Sequence, residues 1–123
     1  MSDADRELLD RAEAVAARAY APYSNFHVGC AVRARDGRVF EGVNVENAAY
    51  PLGICAEKSA LGAAASAGVR PGDVEVLAVN ASPCGGCRQW FHEFAIERVV
   101  YRQADGDVAV TTPAELLPDT FAL

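Results

Sequence analysis

The sequence predicts an α/β fold in which helices cover a sheet of about five strands. Apolar residues recur at helical spacing in some segments, and in shorter segments they alternate or run together. Turn residues separate these segments, with Asp36-Gly37 and Asp105-Gly106 as the clearest pairs. The chain has 123 residues and is 51% hydrophobic, so we expect one compact domain with a real core over residues 1–123.

The first part of the chain predicts a helix followed by a hairpin. Ser2 and Asp3 are good caps for a first helix, which ends before Pro22. The first strand of the hairpin begins near residue 28, Asp36-Gly37 forms the turn, and the second strand covers residues 39–45. The apolar stripe of the first helix comprises Leu8, Ala12, Val15 and Ala19.

The rest of the chain alternates between helices and strands. A second helix begins near Cys55 and ends at Gly68, and its small apolar residues predict that it is buried. A buried strand over residues 74–79 leads to a third helix over residues 84–94. Strands over residues 98–102 and 108–111 follow, and Thr112-Pro113 opens a short last helix.

The charge of the chain limits the class of partner. A net charge of -6 argues against a surface that binds phosphate backbones, so we expect a small-molecule substrate and no nucleic-acid partner. The N-terminus lacks a basic start followed by an apolar run, and no segment approaches membrane-spanning length. We therefore expect no membrane partner and a cytoplasmic location, where the four cysteines stay reduced.

Three cysteines are spaced as ligands of one metal ion. Cys84 and Cys87 form a Cys-x-x-Cys pair, a pattern that also occurs in structural zinc ribbons and redox sites. Cys55 stands upstream and is followed two residues later by Glu57. Catalytic zinc sites keep three protein ligands and leave a fourth position open, whereas structural sites close with four. Cys-x-Glu combined with Pro-Cys-x-x-Cys is the pattern of zinc nucleobase deaminases.

The predicted helices place these residues favourably. Cys55, Cys84 and Cys87 all fall at helix N-termini, where free amide groups and the helix dipole stabilise thiolates. Cys84 and Cys87 are three residues apart and lie on the same side of a first turn. Cys55 and Glu57 are about 200° apart around a helix axis, so they have to converge in front of the helix end.

Five stretches of the sequence occur in a distinctive order: residues 21–29 (APYSNFHVG), 44–50 (NVENAAY), 54–57 (ICAE), 82–89 (SPCGGCRQ) and 116–121 (LLPDTF). In these stretches the chain resembles the cytidine deaminases of the small three-cysteine zinc class. The resemblance implies a three-layer α/β/α fold with a mixed five-stranded sheet, and a homotetramer. It also implies hydrolytic deamination of cytidine and deoxycytidine to uridine and deoxyuridine, in pyrimidine salvage.

The resemblance assigns a role to each residue of the metal motif. Cys55, Cys84 and Cys87 would bind Zn²⁺, and Glu57 would move protons. Zinc lowers the pKa of a bound water to about 7, so that Glu57 can take its proton and the water can attack C4 of the pyrimidine. The same carboxyl can then donate to N3 and to the departing ammonia. Lys58 stands where the family has Arg, and it would compensate the negative charge of the three thiolates.

The substrate contacts follow from the same resemblance. Asn44 and Glu46 would bind the ribose hydroxyl; they are two apart in a strand-like segment, so they project to one face. An amide and a carboxylate suit a hydroxyl, which both donates and accepts hydrogen bonds. The other implied contacts are Phe26 against the base, Ala56, and Phe121 from a neighbouring subunit.

Simpler interpretations compete with these roles. Taken alone, Glu57 is an ordinary first-turn acid, Lys58 is a solvated helix residue, and Asn44 with Glu46 ends a hairpin. Phe26 and Phe121 would by default be core residues, and Cys30 is a small buried hydrophobe rather than a fourth ligand.

Two alternative functions remain open at this point. The first is a related zinc aminohydrolase that acts on a modified cytosine nucleoside of the blasticidin S type or on a free nucleobase. The second is a non-enzymatic protein whose zinc is closed by four cysteines, with Cys30 as the fourth.

Overall fold

A computed structural model describes all 123 residues and contains one mixed five-stranded sheet between two layers of helices. The strands are β1 (Gly29–Ala34), β2 (Val39–Val43), β3 (Val74–Val79), β4 (Arg98–Arg102) and β5 (Val108–Thr111). Their order across the sheet is β2-β1-β3-β4-β5, and only β3 and β4 run parallel. The helices are α1 (Asp3–Val15), α2 (Ala56–Ser66), α3 (Gly85–Glu93) and α4 (Pro113–Leu116), with short 3-10 turns at Ala16–Arg18 and Tyr50–Leu52. The predicted three-layer α/β/α fold is confirmed.

Helix α1 covers one face of the sheet. The Ser2 hydroxyl accepts a hydrogen bond from the Asp5 N–H at 3.1 Å, so the predicted N-cap is present. Of the predicted stripe, Leu8 and Ala12 are buried and Val15 is half-buried against Gly29, whereas Ala19 lies beyond the helix and is only half-buried. The helix tightens into the 3-10 turn after Val15, and this changes the direction of the later side chains. The apolar cluster on this face comprises Leu8, Leu9, Ala12, Ala31, Val76, Ala78 and Val100.

A buried carboxylate fixes α1 to the sheet. Asp5 is 2% exposed, and its carboxylate accepts hydrogen bonds from Arg33 and Arg98, both at 2.9 Å. Burial alone would raise the pKa of Asp5, but the hydrogen bonds from Arg98 and Arg33 outweigh it and hold that pKa below its ordinary value. Glu75 accepts from the same two arginines, so all the charges in this group are paired.

Helices α2 and α3 cover the other face of the sheet and complete the main core. Side chains alternate along the strands, so Cys30 and Val32 of β1 point to this face while Ala31 points to α1. Cys30 is fully buried among apolar neighbours, as predicted. Leu77 of β3 and Phe91 of α3 are among the largest fully buried side chains.

Helix α2 lies unusually close to β2, because a glycine faces it. A Cβ atom added to Gly42 would lie 2.3 Å from the Ala60 nitrogen and 2.8 Å from the Ala56 oxygen. Backbone therefore packs on backbone at this point, which no other residue type permits. The prediction that the whole helix is buried is wrong, because only the face toward the sheet is covered; Ala63, Ser66 and Ala67 are exposed.

The topology brings several chain segments to one end of the sheet. Gly29 at the start of β1 pairs with Val43 at the end of β2, and Cys30 pairs with Val79 at the end of β3. The segment after β3 leads directly to α3, and the segment after β2 leads to α2. The first turns of both helices therefore lie at this end. None of the helices has the length and apolar character required to cross a membrane.

Candidate metal centre and active site

Three cysteine sulfurs meet where α2 and α3 begin. The Sγ atoms of Cys55, Cys84 and Cys87 all lie within 4.8 Å of one another. Cys55 is the N-cap of α2, and Cys84 is the N-cap of α3, where its sulfur accepts a hydrogen bond from the Cys87 N–H at 3.5 Å. The predicted placement at two helix N-termini is therefore present, and it positions the sulfurs beside unpaired amide groups.

The spacing of the sulfurs fits a tetrahedral zinc ion. Zn–S bonds of about 2.3 Å at tetrahedral angles separate two sulfur ligands by about 3.8 Å. The Cys55 and Cys84 sulfurs are 3.8 Å apart. Three soft sulfur donors suit zinc better than a hard cation such as magnesium. Cys30 lies in the apolar core and does not belong to the sulfur cluster.

The three thiols differ in their ease of ionisation. Burial tends to raise the pKa of Cys84, but hydrogen bonds from the Cys87 N–H and from the side chains of Cys87 and Cys55 together outweigh it, and the pKa lies below its ordinary value. Burial raises the pKa of Cys55. The pKa of Cys87 is raised strongly by burial and further by the charge of Glu57. A cation bound by the three sulfurs would favour the thiolate form of all of them.

Glu57 is a buried acid beside the sulfur cluster. Its side chain is 4% exposed, and it lines the same cavity as Cys55 and Cys84. Burial raises the pKa of Glu57, although its own backbone N–H, Cys87 and the charge of Lys58 act in the opposite direction. A carboxyl with a raised pKa exchanges protons more readily near neutral pH. The expected convergence of Cys55 and Glu57 in front of the helix end is realised in this cavity.

Lys58 brings a cation close to the sulfur of Cys84. A Cβ atom placed on Gly86 would lie 3.6 Å from the Lys58 Nζ and 3.9 Å from the Cys84 Sγ. The ammonium group and the sulfur therefore approach the same glycine in the first turn of α3. Lys58 is half-buried, as expected for a residue of α2 that faces α3 rather than open solvent.

The cavity has a volume of about 570 Å³, and most of its lining is apolar. Phe26, Ala56 and Tyr50 contribute to its wall, and Phe26 is 62% exposed rather than a core residue. Tyr23 and Tyr50 meet edge to face with ring centroids 6.3 Å apart. An apolar cleft with a few polar groups is the usual form of a small-molecule site.

Asn44 and Glu46 both line the cavity, and both also bind the chain segment opposite them. One Glu46 oxygen accepts from the backbone N–H groups of Tyr23 and Ser24 at 2.9 and 3.1 Å, and the other accepts from the Ser24 hydroxyl. Hydrogen bonds from the Ser24 side chain and backbone lower the pKa of Glu46. Sequence reasoning missed Ser24, although its position after Pro22 in a polar turn is a usable signal.

Backbone pairing holds the segment that carries these two residues. Val45 and Ile54 exchange two backbone hydrogen bonds of 3.0 Å. On the other edge of the segment, the Tyr20 N–H donates to the Asn44 carbonyl and the Glu46 N–H donates to the Tyr20 carbonyl. The residue directly after Ile54 is Cys55, so the backbone pairing of Val45 with Ile54 links Asn44 and Glu46 to the metal cluster.

Phe121 is the one residue assigned to substrate contact that the structure leaves apart from this cavity. It is 69% exposed and lies against the end of α3, near His92 and Glu93. Gln89 Nε2 donates to the Phe121 carbonyl at 3.0 Å, and the Thr120 hydroxyl is 2.9 Å from His92 Nδ1. The tail is thus fixed to α3, and its aromatic ring projects outward.

Comparison with known proteins gives consistent matches. The family profile described as the cytidine and deoxycytidylate deaminase zinc-binding region matches residues 2–103. The chain is 45% identical over 127 aligned residues to the cytidine deaminase of Halalkalibacterium halodurans, covering 95% of this chain and 94% of the relative. It is 39% identical over 130 residues to the cytidine deaminase of Mycobacterium tuberculosis, covering 100% and 94%. The crystal structure of cytidine deaminase from Burkholderia pseudomallei matches with a TM-score of 0.89 and 45% identity, covering 98% of this chain and 100% of that one.

Proposed function

Because the chain belongs to the zinc-binding family of cytidine and deoxycytidylate deaminases, we propose that it hydrolyses cytidine and deoxycytidine to uridine and deoxyuridine, releasing ammonia. The observation that carries the proposal is the three-sulfur cluster beside the buried Glu57 in one cavity. Relatives at 45% and 39% identity are cytidine deaminases, and this supports cytidine over a modified cytosine nucleoside or a free base.

Cys55, Cys84 and Cys87 would hold the zinc ion, which when bound supplies a Lewis acid that activates water for attack at C4. Glu57 accepts one proton of the attacking water and passes it to N3 of the pyrimidine; it then accepts the remaining proton of the new C4 hydroxyl and delivers it to the departing amino group. One carboxyl can serve both proton relays because it is held beside the reacting atoms. Its burial keeps competing water away and raises its pKa toward the working range.

Asn44 and Glu46 bind and orient the sugar in this proposal. Asn44 uses one N–H and one acceptor position on the backbone, so one of each remains for a ribose hydroxyl. Glu46 accepts three hydrogen bonds from Tyr23 and Ser24, and this leaves one acceptor position of about four. Phe26 and Ala56 pack on the base, and Lys58 compensates the charge of the thiolates.

The lining favours a nucleoside over a nucleotide. Glu46 and Glu57 both face the cavity, so a phosphate dianion on the sugar would meet like charge in a partly desolvated site. Cytidine and deoxycytidine carry no charge and avoid this cost. We therefore expect cytidine 5′-phosphate to be a poor substrate.

The proposal extends to assembly and setting. Tyr50 is 76% exposed and Leu52 is 70% exposed beside the cavity, and exposed apolar groups of this kind are usual at subunit contacts. We propose a homotetramer in which the chain, folded as one domain over residues 1–123, places Phe121 at a neighbouring cavity. Reduced thiols at the metal centre support a cytoplasmic role in pyrimidine salvage, with neither membrane nor nucleic acid as partner.

A single assay tests the reaction. Zinc-loaded protein is incubated separately with cytidine, deoxycytidine, cytosine, cytidine 5′-phosphate and blasticidin S, while ammonia release and the ultraviolet spectrum are followed. We expect turnover of the first two and little of the others. Turnover of blasticidin S or cytosine without turnover of cytidine would contradict the proposal. Light scattering at the assay concentration tests the tetramer.

A further inference from the structure

The segment that carries Phe26 to the cavity wall is bound along one edge by Asn44. The Asn44 Nδ2 donates to the Phe26 carbonyl at 2.8 Å, and its Oδ1 accepts from the Val28 N–H at 2.9 Å. Both groups belong to the stretch that leads into β1. The amide of Asn44 therefore fixes two alternate residues of this stretch from the β2 side.

Asn80 binds the same segment from the opposite edge. It directly follows β3, and its backbone N–H donates to the Gly29 carbonyl at 3.3 Å. Its Nδ2 donates to the His27 carbonyl at 3.3 Å, and its Oδ1 accepts from the Gly29 N–H at 2.9 Å. The two asparagines thus bind alternate residues of the segment 26–29, each with one donor and one acceptor. We call this arrangement the asparagine clasp.

The backbone at the end of α1 packs against a third side of the segment 26–29. A Cβ atom on Gly29 would lie 2.0 Å from the Ala12 carbonyl and 2.7 Å from the Ala16 nitrogen. The backbone of the segment already touches the end of α1, so it has no room to move in that direction. Displacement away from α1 remains possible, and the two side-chain amides resist it.

Phe26 itself contributes little to its own placement. Its side chain is 62% exposed, and the preceding Asn25 has a left-handed backbone with φ of 58°. Packing of the ring therefore does not define where it stands. The hydrogen bonds to the backbone of residues 26–29 define it instead, together with the bond that the Phe26 N–H donates to the Ser24 hydroxyl at 3.0 Å.

We infer that Asn80 is a positioning residue for the reaction, which acts by holding Phe26 at the height where its ring meets the substrate base. The inference rests on the proposed function, because that function makes Phe26 the base contact. The Asn80 side chain does not line the cavity, and its hydrogen-bond partners, the His27 carbonyl and the Gly29 N–H, both lie in the segment 26–29. Loss of its amide frees His27 and Gly29, and the ring then has to be ordered by the substrate.

The expected result is a change in affinity rather than in chemistry. Asn80→Ala removes two side-chain hydrogen bonds at a partly buried site, so we expect KM to rise about fivefold to tenfold. The zinc content and kcat should change little, since Glu57 and the sulfurs do not depend on this segment. The dissociation constant of the product uridine, measured by calorimetry, should rise by the same factor.

The test is a double-mutant cycle with Phe26→Ala. If Asn80 acts through Phe26, the double variant binds uridine no more weakly than Phe26→Ala alone. Asn80→Asp is a second probe that keeps the acceptor for the Gly29 N–H but places an oxygen against the His27 carbonyl; it should also raise KM. Val100→Ala, in the cluster under α1, is the control for a general loss of stability and should leave KM unchanged.

The outcomes separate this inference from the function on which it rests. Multiplicative effects of the two substitutions, a fall in kcat with unchanged KM, or an equal rise of KM in Val100→Ala would overturn the positioning role. Failure of the wild-type protein to deaminate cytidine would overturn the proposed function instead. In that case the uridine cycle still decides whether Asn80 acts through Phe26.

Discussion

The sulfur of Cys55 lies 3.8 Å from the sulfur of Cys84, and the two residues cap different helices. A metal ion at this point joins α2 to α3 across the end of the sheet. Ligands contributed by separate elements exist as a site only in the folded chain, so metal binding adds directly to the free energy of folding.

Replacement of the sulfur ligands should release zinc, while replacement of the buried fourth cysteine should not. We expect Cys84→Ser to lose most of the metal and all measurable turnover. Cys30→Ala should keep a full equivalent of zinc and lose about 1 kcal/mol of stability, the usual cost of a small core truncation. Metal analysis and urea unfolding measure both. Loss of zinc in Cys30→Ala would indicate a closed four-cysteine site and contradict the enzymatic interpretation.

Glu57→Gln should abolish the reaction and keep the metal. The substitution preserves shape but removes the proton carrier, and general acid–base groups contribute about 100-fold to 10,000-fold in rate. Steady-state kinetics and zinc content are the two measurements. Glu41→Gln, at an exposed residue paired with Arg11, is the control and should retain wild-type kcat. Equal activity in Glu57→Gln would rule out proton transfer by this residue, and loss of zinc would make its role structural.

Lys58→Gln should weaken zinc binding and lower kcat, whereas Lys58→Arg should retain most of both. The Lys58 ammonium and the Cys84 sulfur approach the same first-turn glycine, so removal of the charge leaves the thiolates less well compensated. Competition with a chromogenic chelator gives the affinity. Arg18→Gln removes an exposed positive charge that does not line the cavity and controls for net charge. Identical affinity in Lys58→Gln and Arg18→Gln would return Lys58 to a surface role.

Phe121→Ala should raise the KM for cytidine about tenfold, since an aromatic contact of about 1.4 kcal/mol is lost. Zinc content should stay unchanged because Phe121 is not a metal ligand and lines a different cavity in its own chain. Leu123→Ala changes the same exposed tail and is the matched control. A monomer with full activity at the assay concentration would contradict the contribution of Phe121 to a neighbouring cavity.

Asp5→Asn should destabilise the protein by about 1–3 kcal/mol at neutral pH, because two arginines lose a buried partner. The hydrogen bonds that lower the pKa of Asp5 make its contribution complete above the unfolded-state pKa of about 3.9, and the contribution is lost as pH falls through the lower folded-state pKa. The stability difference between wild type and variant, from urea unfolding, should therefore shrink below about pH 4. A difference independent of pH would show that Asp5 does not act through its charge.

Much of the fold could be predicted because the local signals agree with one another. The bounds of β3, β4 and β5 match the expected ranges, since each strand is a short apolar run between turn residues. The end of α1 and the exposed face of α2 could not be predicted, because both depend on how a helix sits on the sheet. Sequence periodicity does not indicate how a helix packs on the sheet.

The metal ligands could be predicted from the sequence, and the residues that position the cavity wall could be predicted less well. The spacing of Cys55, Cys84 and Cys87 identifies them as ligands from the sequence alone. Asn80 carries none, since a single asparagine after a buried strand is common. Its role depends on the register between β1 and β3, which only the folded structure reveals.

The contact at Gly42 makes the affinity for zinc sensitive to the distance between α2 and the sheet. Any side chain at that position would lift the first turns of α2 from the sheet, and Cys55 would move with them away from Cys84. Zinc tolerates little change in ligand distance, so the affinity for the ion would respond to a displacement too small to unfold the chain. The absence of a side chain at Gly42 thus determines how precisely the zinc ligands at the ends of α2 and α3 are placed.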